Sequence, residues 1–359
     1  MTPDYRGAGL VNLLAELERN LTGSAPAPPL AHLEVAPAEG YVLVLFDGLG
    51  SHQLEEAGAA GLLSSRTGEM TAGFPTTTTT SLATIVTGLP PVAHGVIGHV
   101  LHLRGIAPAV NVLKWTTPSG QPVDHDYDSF LPAPNLWERV SAAGIEPITV
   151  QPGPFLGSPL SRMLYRGCRF EPAWSAGELV DATVDVAGAG RLVLTYFPNV
   201  DVAAHVEGRD SEAYAEAVAQ ASQIWEQLSL RLPRAVGLVG TADHGHVDYR
   251  PADKILIRDR RYDPLLFFGD PRSVYVTGPS ELIDDLAAST GADSVSREEL
   301  VVLLGAEPLH PDLPARLPDR LLLAPRGRVL LPRPFDKRLI GYHGGLEGEE
   351  LLVPLLTRP

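Results

Sequence analysis

Apolar and polar residues occur along this chain in blocks that predict strands and helices in turn. Residues 41–46, Tyr-Val-Leu-Val-Leu-Phe, form a continuous apolar run with β-branched members. A short run that is apolar on both faces is typical of a central strand of a parallel sheet. Similar patterns predict further strands at 146–150, 191–197 and 235–242. Helical spacing of apolar residues predicts helices at 11–20, 79–86, 135–143 and 211–232.

Because strands and helices alternate, we predict an α/β fold with a mostly parallel central sheet flanked by helices. Residues 1–40 are expected to form a helix and a linker rich in proline and alanine. The stretch 249–339 differs, with many prolines, a helix pattern near 281–289 and short strand patterns at 273–277, 321–324 and 329–331. We therefore predict a catalytic core of residues 41–248 and 340–359, with a small cap-like α+β subdomain inserted at 249–339.

The composition indicates a globular protein, with 44% hydrophobic and 20% charged residues in 359. The apolar runs are too short to cross a bilayer, and the first residues do not show a secretory signal pattern. We therefore expect a cytoplasmic protein without a membrane partner. A net charge of −15 argues against a protein that coats nucleic acid. The sequence leaves the oligomeric state open.

The single cysteine limits the chemistry of any metal site. Cys168 has no partner for a disulfide within the chain, and a thiolate cluster needs several cysteines. A metal site must therefore be built from histidines and carboxylates. Bound divalent cations would also reverse the local charge of an acidic pocket, so small phosphorylated substrates remain compatible with the negative net charge.

Candidate ligands follow the predicted strands, at the sheet edge where open α/β folds bind ligands. Asp47 comes directly after residues 41–46, although an Asp-Gly pair is also a common turn. Asp201 and His205 follow the strand at 191–197 and would share one face of a helix, or form an ordinary surface pair. Asp243 and His244 directly follow the strand at 235–242. They would be metal ligands or part of an ordinary loop.

Two further segments carry candidate chemistry. A run of five threonines, 76–80, leads into the predicted helix at 79–86. Hydroxyl groups at a helix start can cap the helix, and the same position suits phosphate binding and a nucleophile. His343 lies among glycines, which allow close approach of the backbone. His94 is predicted to be a structural loop residue, and the four tryptophans, Trp115, Trp137, Trp174 and Trp225, are predicted to pack in the core.

Taken in order, these segments resemble the alkaline phosphatase superfamily, in its type I phosphodiesterase/nucleotide pyrophosphatase family. The resemblance rests on the strand with Asp47-Gly48, the block from Pro75 to Gly95, Asp201 with His205, Asp243-His244-Gly245 and His343-Gly344-Gly345. These segments extend over residues 41 to 356, nearly the whole chain. The resemblance implies an alkaline-phosphatase-like fold and hydrolysis of phosphodiesters or nucleotide pyrophosphates through a phospho-threonine intermediate.

The resemblance also implies roles for individual residues. One divalent ion would be held by Asp47, Thr78, Asp243 and His244, and a second by Asp201, His205 and His343. Zinc is the expected metal, with manganese as the alternative. Thr78 is the expected nucleophile because it lies ten residues before Gly88, with Thr77 and Thr79 as the alternatives. The expected partner is a small phosphorylated substrate, with nucleotides among the candidates.

Two departures from the family pattern bear on the substrate. Residues 79–81 are Thr-Thr-Ser where nucleotide-cleaving members have Phe-Pro-Asn, and His99 stands where they carry a phosphate-binding asparagine. His99 is therefore a candidate substrate-binding residue, unless that role is absent from this protein. A monoester would need a cation for its extra charged oxygen. Arg104, Lys114, Arg162 and Arg166 are candidates by residue type alone.

Other activities stay open at this point. A phosphomonoesterase, a phosphonate hydrolase and a phosphomutase would all fit the same fold. A sulfatase is disfavoured because Cys168 lies far along the chain from the threonine run. A metal-dependent binding protein without catalysis is the alternative from a different class.

Overall fold

The computed structural model describes residues 1–333 and 335–358, which contain strands from two large sheets and two short ribbons. The strands are β1 (Gly40–Phe46), β2 (Arg66–Thr71), β3 (Val100–Leu103), β4 (Ala107–Asn111), β5 (Glu146–Pro152), β6 (Arg169–Ala173), β7 (Arg191–Phe197), β8 (Val236–Thr241), β9 (Val247–Asp248), β10 (Lys254–Leu256), β11 (Leu266–Asp270), β12 (Ser273–Thr277), β13 (Asp293–Val295), β14 (Arg320–Leu323), β15 (Val329–Leu331), β16 (Gly341–Tyr342) and β17 (Leu352–Thr357).

Helices fill the connections between these strands. They are α1 (Leu10–Thr22), α2 (Ser51–Glu56), α3 (Ala60–Leu63), α4 (Thr78–Thr87), α5 (Pro91–His94), α6 (Leu136–Ala142), α7 (Pro159–Leu164), α8 (Ala176–Val186), α9 (Asn199–Glu207), α10 (Glu212–Arg231), α11 (Ser280–Thr290), α12 (Arg297–Leu303), α13 (Leu313–Arg316) and α14 (Gly348–Leu351). Within the described ranges, no helix combines the length and the apolar character needed to span a membrane.

The central sheet has seven strands in the order β2-β17-β8-β1-β7-β5-β6. Strands β8, β1, β7, β5 and β6 run parallel, and β17 pairs antiparallel with both β8 and β2. The predicted α/β class with a mostly parallel sheet is therefore confirmed. The predicted strands and helices correspond to described elements, with ends that differ by at most two residues.

Strand β1 shows why the sequence specifies a two-sided core. Tyr41, Leu43 and Leu45 pack in one hydrophobic cluster, whereas Val42, Val44 and Phe46 pack in a second cluster on the other face. Successive side chains of a strand point to opposite faces, so a strand covered on both sides must be apolar at every position. The continuous apolar run at 41–46 thus places β1 in the middle of the sheet.

A second sheet of six strands has the order β13-β14-β12-β11-β3-β4. Four of its strands come from the stretch predicted as an insertion at 249–339. The other two, β3 and β4, come from residues 100–111, which the sequence assigned to the core. The sheet of the inserted segment is therefore continued by a hairpin from the core, and Gly269 of β11 pairs with Val100 of β3. The predicted domain bounds themselves stay a prediction.

The prediction that all four tryptophans are buried is wrong for one of them. Trp115, Trp137 and Trp225 are at most 2% exposed, but Trp174 is 70% exposed. Trp174 directly follows β6, which is an edge strand of the central sheet. Within the described residues, no further strand pairs with β6 on its outer side. Its indole ring lies against the backbone of Gly153, where an added methyl carbon would come within 2.6 Å of the ring.

His94 is a buried structural residue, as its position at the end of α5 illustrates. Its Nδ1 accepts a hydrogen bond from the backbone N–H of Val96 at 3.1 Å, and its Nε2 lies 3.0 Å from the hydroxyl oxygen of Thr84. The Thr84 hydroxyl donates to the carbonyl of Thr80, so the neutral imidazole donates from Nε2 to Thr84. Burial lowers the pKa of His94 to about 3.

We expect His94 to make the fold sensitive to acid. The unfolded chain protonates His94 near pH 6.5, whereas the folded chain keeps it neutral down to about pH 3. Stability contributed by the neutral ring is therefore present above pH 6.5 and is lost as the pH falls, by about 1.4 kcal/mol per pH unit. Urea unfolding of wild type and His94→Gln at pH 7 and pH 5 measures this. An equal pH dependence in both proteins would contradict it.

Candidate metal centre

Three aspartates lie together at the carboxyl edge of the central sheet. Asp47 directly follows β1, Asp243 lies two residues after the end of β8, and Asp201 is on the first turn of α9, which begins just after β7. Strands β8, β1 and β7 are adjacent and parallel, so the residues that follow them converge at one edge. Gly48 allows this close approach, because a Cβ there would lie 2.9 Å from the α-carbon of Asp201.

Thr78 is the first residue of α4, and its side chain is directed to the same edge. Its Oγ lies 3.1 Å from Nε2 of His244. Thr76, Thr77, Thr79 and Thr80 are at most 2% exposed, whereas Thr78 is only partly buried. Among the described residues, no side chain caps the first turn of α4, so its first backbone N–H groups lack a side-chain acceptor, and an anion at a helix start can satisfy such groups.

The first group of donor atoms surrounds Nε2 of His244. Oδ1 of Asp47 lies 3.6 Å from this nitrogen, Oδ2 of Asp243 lies 3.4 Å away, and the hydroxyl of Thr78 lies 3.1 Å away. Both carboxylate oxygens are buried and lack a hydrogen-bond partner within the described residues. The structure therefore brings together the four residues predicted to hold one ion.

The second group combines Asp201, His205 and His343. Nε2 of His205 lies 3.1 Å from Nε2 of His343 and 3.5 Å from Oδ1 of Asp201. Helix α9 places Asp201 and His205 one turn apart on one face, as their spacing predicts. His343 follows β16, which reaches the site by pairing with β9, the short strand after His244.

Backbone carbonyls orient the three predicted histidine ligands. Nδ1 of His205 lies 2.8 Å from the carbonyl of Gly341, Nδ1 of His343 lies 2.7 Å from that of Thr76, and Nδ1 of His244 lies 3.1 Å from that of Gly245. Since a carbonyl only accepts, each Nδ1 carries the proton and each Nε2 has a free lone pair. The lone pairs of His205 and His343 therefore face each other, an arrangement that a bound cation satisfies.

Two residues of the site were missed by the sequence reasoning. His246 is fully buried, and its Nε2 lies 2.6 Å from Oδ1 of Asp201, within the cluster of donor atoms formed with His205 and His343. The signal in the sequence was its position, two residues after the predicted ligand His244. Tyr196 in β7 donates a hydrogen bond to Oδ2 of Asp47. Tyr196 lies far from Asp47 in the sequence, so no local pattern could have indicated this contact.

The electrostatics of the site also indicate cation binding. Burial and the neighbouring charges of Asp243 and Asp201 hold the pKa of Asp47 well above its usual range. Burial likewise raises the pKa of Asp243. For Asp201, burial acts in the same direction, but nearby His205 and His246 outweigh it and hold the pKa well below its usual range. Crowded buried carboxylates of this kind are stabilised when a metal ion supplies positive charge.

The donor sets fit divalent metal ions. Tetrahedral zinc with bonds of about 2.0–2.1 Å to nitrogen and oxygen separates its ligand atoms by about 3.3 Å. The separations from Nε2 of His244 in the first group, 3.1, 3.4 and 3.6 Å, bracket this value. Carboxylate and imidazole ligands suit zinc and manganese, and the buried oxygens without partners in the described part of the chain are free to bind.

His99 lies outside both donor groups, beside Asp270 and Asn111. Of the arginines named as candidate phosphate ligands, Arg162 pairs with Asp128 and Arg166 with Glu138. Throughout residues 1–333 and 335–358, no lysine or arginine side chain forms a hydrogen bond or ion pair with a residue of the two donor groups.

We expect His246 to strengthen metal binding by holding Asp201. His246→Ala should weaken binding at the Asp201 group by about 10- to 100-fold, the usual effect of removing a hydrogen bond to a metal ligand. His246→Gln keeps an N–H donor and should lose less. Competition with a chromophoric chelator measures both affinities. Unchanged affinity in His246→Ala would show that Asp201 needs no such support.

Comparison with known proteins agrees with the family resemblance found in the sequence. The sequence profile described as type I phosphodiesterase/nucleotide pyrophosphatase matches residues 41–264, more than half of the chain. No curated protein sequence matches significantly.

Solved structures with the same fold have low sequence identity. Murine ectonucleotide pyrophosphatase/phosphodiesterase 5, an inactive variant in complex with AMP, superimposes with a TM-score of 0.67 at 19% identity, over 88% of this chain and 87% of that one. The human protein of the same name gives 0.65 at 16% identity, over 89% and 87%. Phosphonoacetate hydrolase from Sinorhizobium meliloti, in complex with phosphonoformate, gives 0.64 at 19% identity, over 91% and 92%.

Proposed function

Because the chain belongs to the type I phosphodiesterase/nucleotide pyrophosphatase family of metal-dependent phosphoester hydrolases, we propose that it cleaves phosphodiester bonds with Thr78 as the nucleophile. The observation that carries this proposal is the position of one hydroxyl. Thr78 is the one member of the threonine run 76–80 that is not buried, and its Oγ lies 3.1 Å from Nε2 of His244, the atom that carboxylate oxygens of Asp47 and Asp243 also approach.

The residues around Thr78 define the metal ligands of the proposed enzyme. Asp47, Thr78, Asp243 and His244 would hold one ion, and Asp201, His205 and His343 the other. Zinc is proposed because three imidazoles with free Nε2 atoms are among these ligands. When bound, the two ions would favour the deprotonated Thr78 hydroxyl and stabilise charge on the leaving oxygen.

The chain's own residues account for the remaining steps. A phosphoryl group is bound at the start of α4 by free N–H groups of the first turn. Thr78 Oγ then forms a bond to phosphorus as the bond to the leaving oxygen breaks. Water hydrolyses the phospho-threonine, so each cycle consumes one water molecule and restores the Thr78 hydroxyl. The carbonyl contacts of His205, His244 and His343 keep these rings in one orientation throughout.

A diester is favoured over a monoester by the charges at the site. A monoester has one more charged oxygen, which commonly needs an arginine or lysine. Within the described residues, no such side chain is paired to the donor groups. Of the four candidates, Arg162 and Arg166 are engaged with carboxylates, whereas Arg104 and Lys114 stay candidates by residue type alone. The murine structure holds AMP, the monoester that cleavage of a nucleotide diester or pyrophosphate releases, and a small nucleotide diester or pyrophosphate is the substrate class we propose.

Hydrolysis of bis-p-nitrophenyl phosphate beside p-nitrophenyl phosphate tests this proposal. Metal-stripped protein should be inactive, and restored zinc or manganese should give clear preference for the diester. Preference for the monoester would indicate a phosphatase or phosphomutase on this fold, and preference for phosphonoacetate a phosphonate hydrolase. A metal-loaded protein that is silent on all substrates would contradict catalysis and favour a binding protein.

A further inference from the structure

The loop that carries His343 is held against the threonine run 76–80 by one residue, Thr76. Nδ1 of His343 donates to the carbonyl of Thr76 at 2.7 Å. The Thr76 hydroxyl accepts the backbone N–H of Gly344 at 3.0 Å and donates to the carbonyl of Gly345 at 3.0 Å. Three successive residues are thus bonded to one residue that lies two positions before the proposed nucleophile.

The Thr76 hydroxyl has one proton, and its two partners determine where that proton points. A carbonyl only accepts, so the proton points to Gly345, and a backbone N–H only donates, so a lone pair faces Gly344. Thr76 is also 0% exposed. Its hydroxyl therefore bonds only within the protein and does not contact a substrate.

Two glycines make this close contact possible. Gly344 has a φ of +115°, and a Cβ there would lie 2.9 Å from the Cβ of Asp270. A Cβ on Gly345 would lie 2.5 Å from Oε2 of Glu350. Because neither residue has a side chain to anchor it, the hydrogen bonds of the backbone set the place of this loop.

Glu350 on α14 holds the same loop at a second point. Its Oε1 accepts the backbone N–H of Gly345 at 2.9 Å. Glu350 is 0% exposed and pairs with the buried Arg272, whose Nε and Nη2 each lie 3.2 Å from one of its oxygens. A buried ion pair of this kind is stable only when its other polar atoms are also bonded. Glu350 thus fixes Gly345, whereas the contacts nearest to His343 are those of Thr76.

The position of His343 matters to both donor groups. Its Nε2 lies 3.1 Å from Nε2 of His205 and 3.9 Å from Oδ1 of Asp201, in the second group. Its ring also stacks on that of His244 in the first group, with 3.7 Å between ring centroids and 15° between planes. A shift of the loop would therefore displace one ligand of the second ion and the ring packed against a ligand of the first.

We propose that Thr76 is a positioning residue of the metal centre, whose hydroxyl holds His343 at the correct distance from the other ligands of the second ion. Since Thr76 and Thr78 belong to one segment, the same contact aligns the nucleophile with that ion. This inference rests on the ligand roles in the proposed function. It assigns to one member of the threonine run a role that is exerted through a metal ligand.

Thr76→Val tests this inference, because valine has nearly the shape of threonine but lacks the hydroxyl. The N–H of Gly344 and the carbonyl of Gly345 lose this partner. Zinc affinity at the Asp201 group should therefore fall by about 10- to 100-fold, the usual effect of losing a hydrogen bond that supports a metal ligand. Thr76→Ser keeps the hydroxyl and should bind zinc as wild type does. Competition between metal-stripped protein and a chromophoric chelator measures each affinity, and a serine variant as weak as the valine variant would overturn the proposal.

Thr80→Val is the matched control for Thr76→Val. Thr80 belongs to the same run and is also 0% exposed, but its hydroxyl has no hydrogen-bond partner among the described residues. Its loss should leave zinc affinity unchanged. Equal losses in the two valine variants would overturn the proposal, because they would show that removal of any hydroxyl from this run has the same effect.

A double variant separates positioning from a general loss of structure. If Thr76 acts through His343, Thr76→Val should cost no further zinc affinity in a His343→Ala background. A fully additive loss would overturn the proposal, since Thr76 would then support the fold rather than this ligand. If Thr76→Val does not fold, Thr76→Cys takes its place, because a thiol is only a weak donor and acceptor. Its zinc affinity should be lower than that of Thr76→Ser, and equal affinity would overturn the proposal.

Zinc binding does not require turnover, so this inference and the proposed function fail separately. A protein that shows these changes in zinc affinity but hydrolyses none of the substrates contradicts the proposed function and supports the inference. An active hydrolase with equal zinc affinity in wild type and Thr76→Val contradicts the inference alone. A wild-type protein that binds no zinc would overturn both.

Discussion

Thr78→Ala is expected to reduce phosphodiester turnover by at least three orders of magnitude while two metal ions stay bound. Loss of a nucleophile that acts within a catalytic unit typically costs about 10³-fold or more in kcat. Metal binding should persist because Asp47, Asp243 and His244 keep the first donor group, and Asp201, His205 and His343 are untouched. Turnover of bis-p-nitrophenyl phosphate and metal content by mass spectrometry give the two readouts.

Thr77→Ala is the matched control for Thr78→Ala. Thr77 precedes α4, is 2% exposed and caps no N–H group of the helix through its side chain, so its loss should leave turnover within about tenfold of wild type. If Thr77→Ala abolished turnover and Thr78→Ala did not, the nucleophile would be Thr77. If both variants lost their metal, the activity data would report an unfolded site rather than a missing nucleophile.

The convergence of the candidate metal ligands was accessible to sequence reasoning because most of them follow strands directly. Asp47, Asp243 and His244 come at the ends of β1 and β8, and parallel strands deliver such residues to one edge. The spacing of Asp201 and His205 requires a helix to bring them together, and α9 provides it. Local pattern and one rule of sheet topology were sufficient to predict that these residues converge, whereas their roles as ligands were implied by the family resemblance.

Other residues of the site depend on contacts that no local pattern encodes. Tyr196 reaches Asp47 because β1 and β7 are neighbours, and the apolar pattern of β7 gives no indication of this role. Asp270 and Asn111 meet at His99 only through the order β11-β3-β4 in the second sheet. The sequence analysis placed residues 100–111 in the core, so this juxtaposition could not be foreseen. His246 was overlooked although it lies two residues from a predicted ligand.

The same crowding of carboxylates that would favour a bound cation should make the metal-free protein less stable than a variant lacking one charge. The pKa of Asp47 is raised by burial and by Asp243 and Asp201, so its ionised form opposes folding. The penalty is absent below the ordinary aspartate pKa, grows as the pH rises, and is complete above the raised pKa. Once the pH exceeds the raised pKa, it amounts to about 1.4 kcal/mol for each unit of the shift.

Asp47→Asn is therefore expected to be more stable than wild type without metal and less stable than wild type with zinc. With chelator at pH 8, the variant should unfold at higher denaturant than wild type, since the introduced amide still accepts from Tyr196 but adds no charge. Excess zinc should stabilise wild type by about 4 kcal/mol over its own metal-free state when free zinc is about 1,000 times its Kd, which should make wild type the more stable because the variant lacks one ligand of this ion. Asp284→Asn, which removes an exposed carboxylate on α11, should change neither state. A variant less stable than wild type under both conditions would mean that the Asp47 carboxylate supports the fold itself. The high pKa of Asp47 would then not reflect a site that requires a cation.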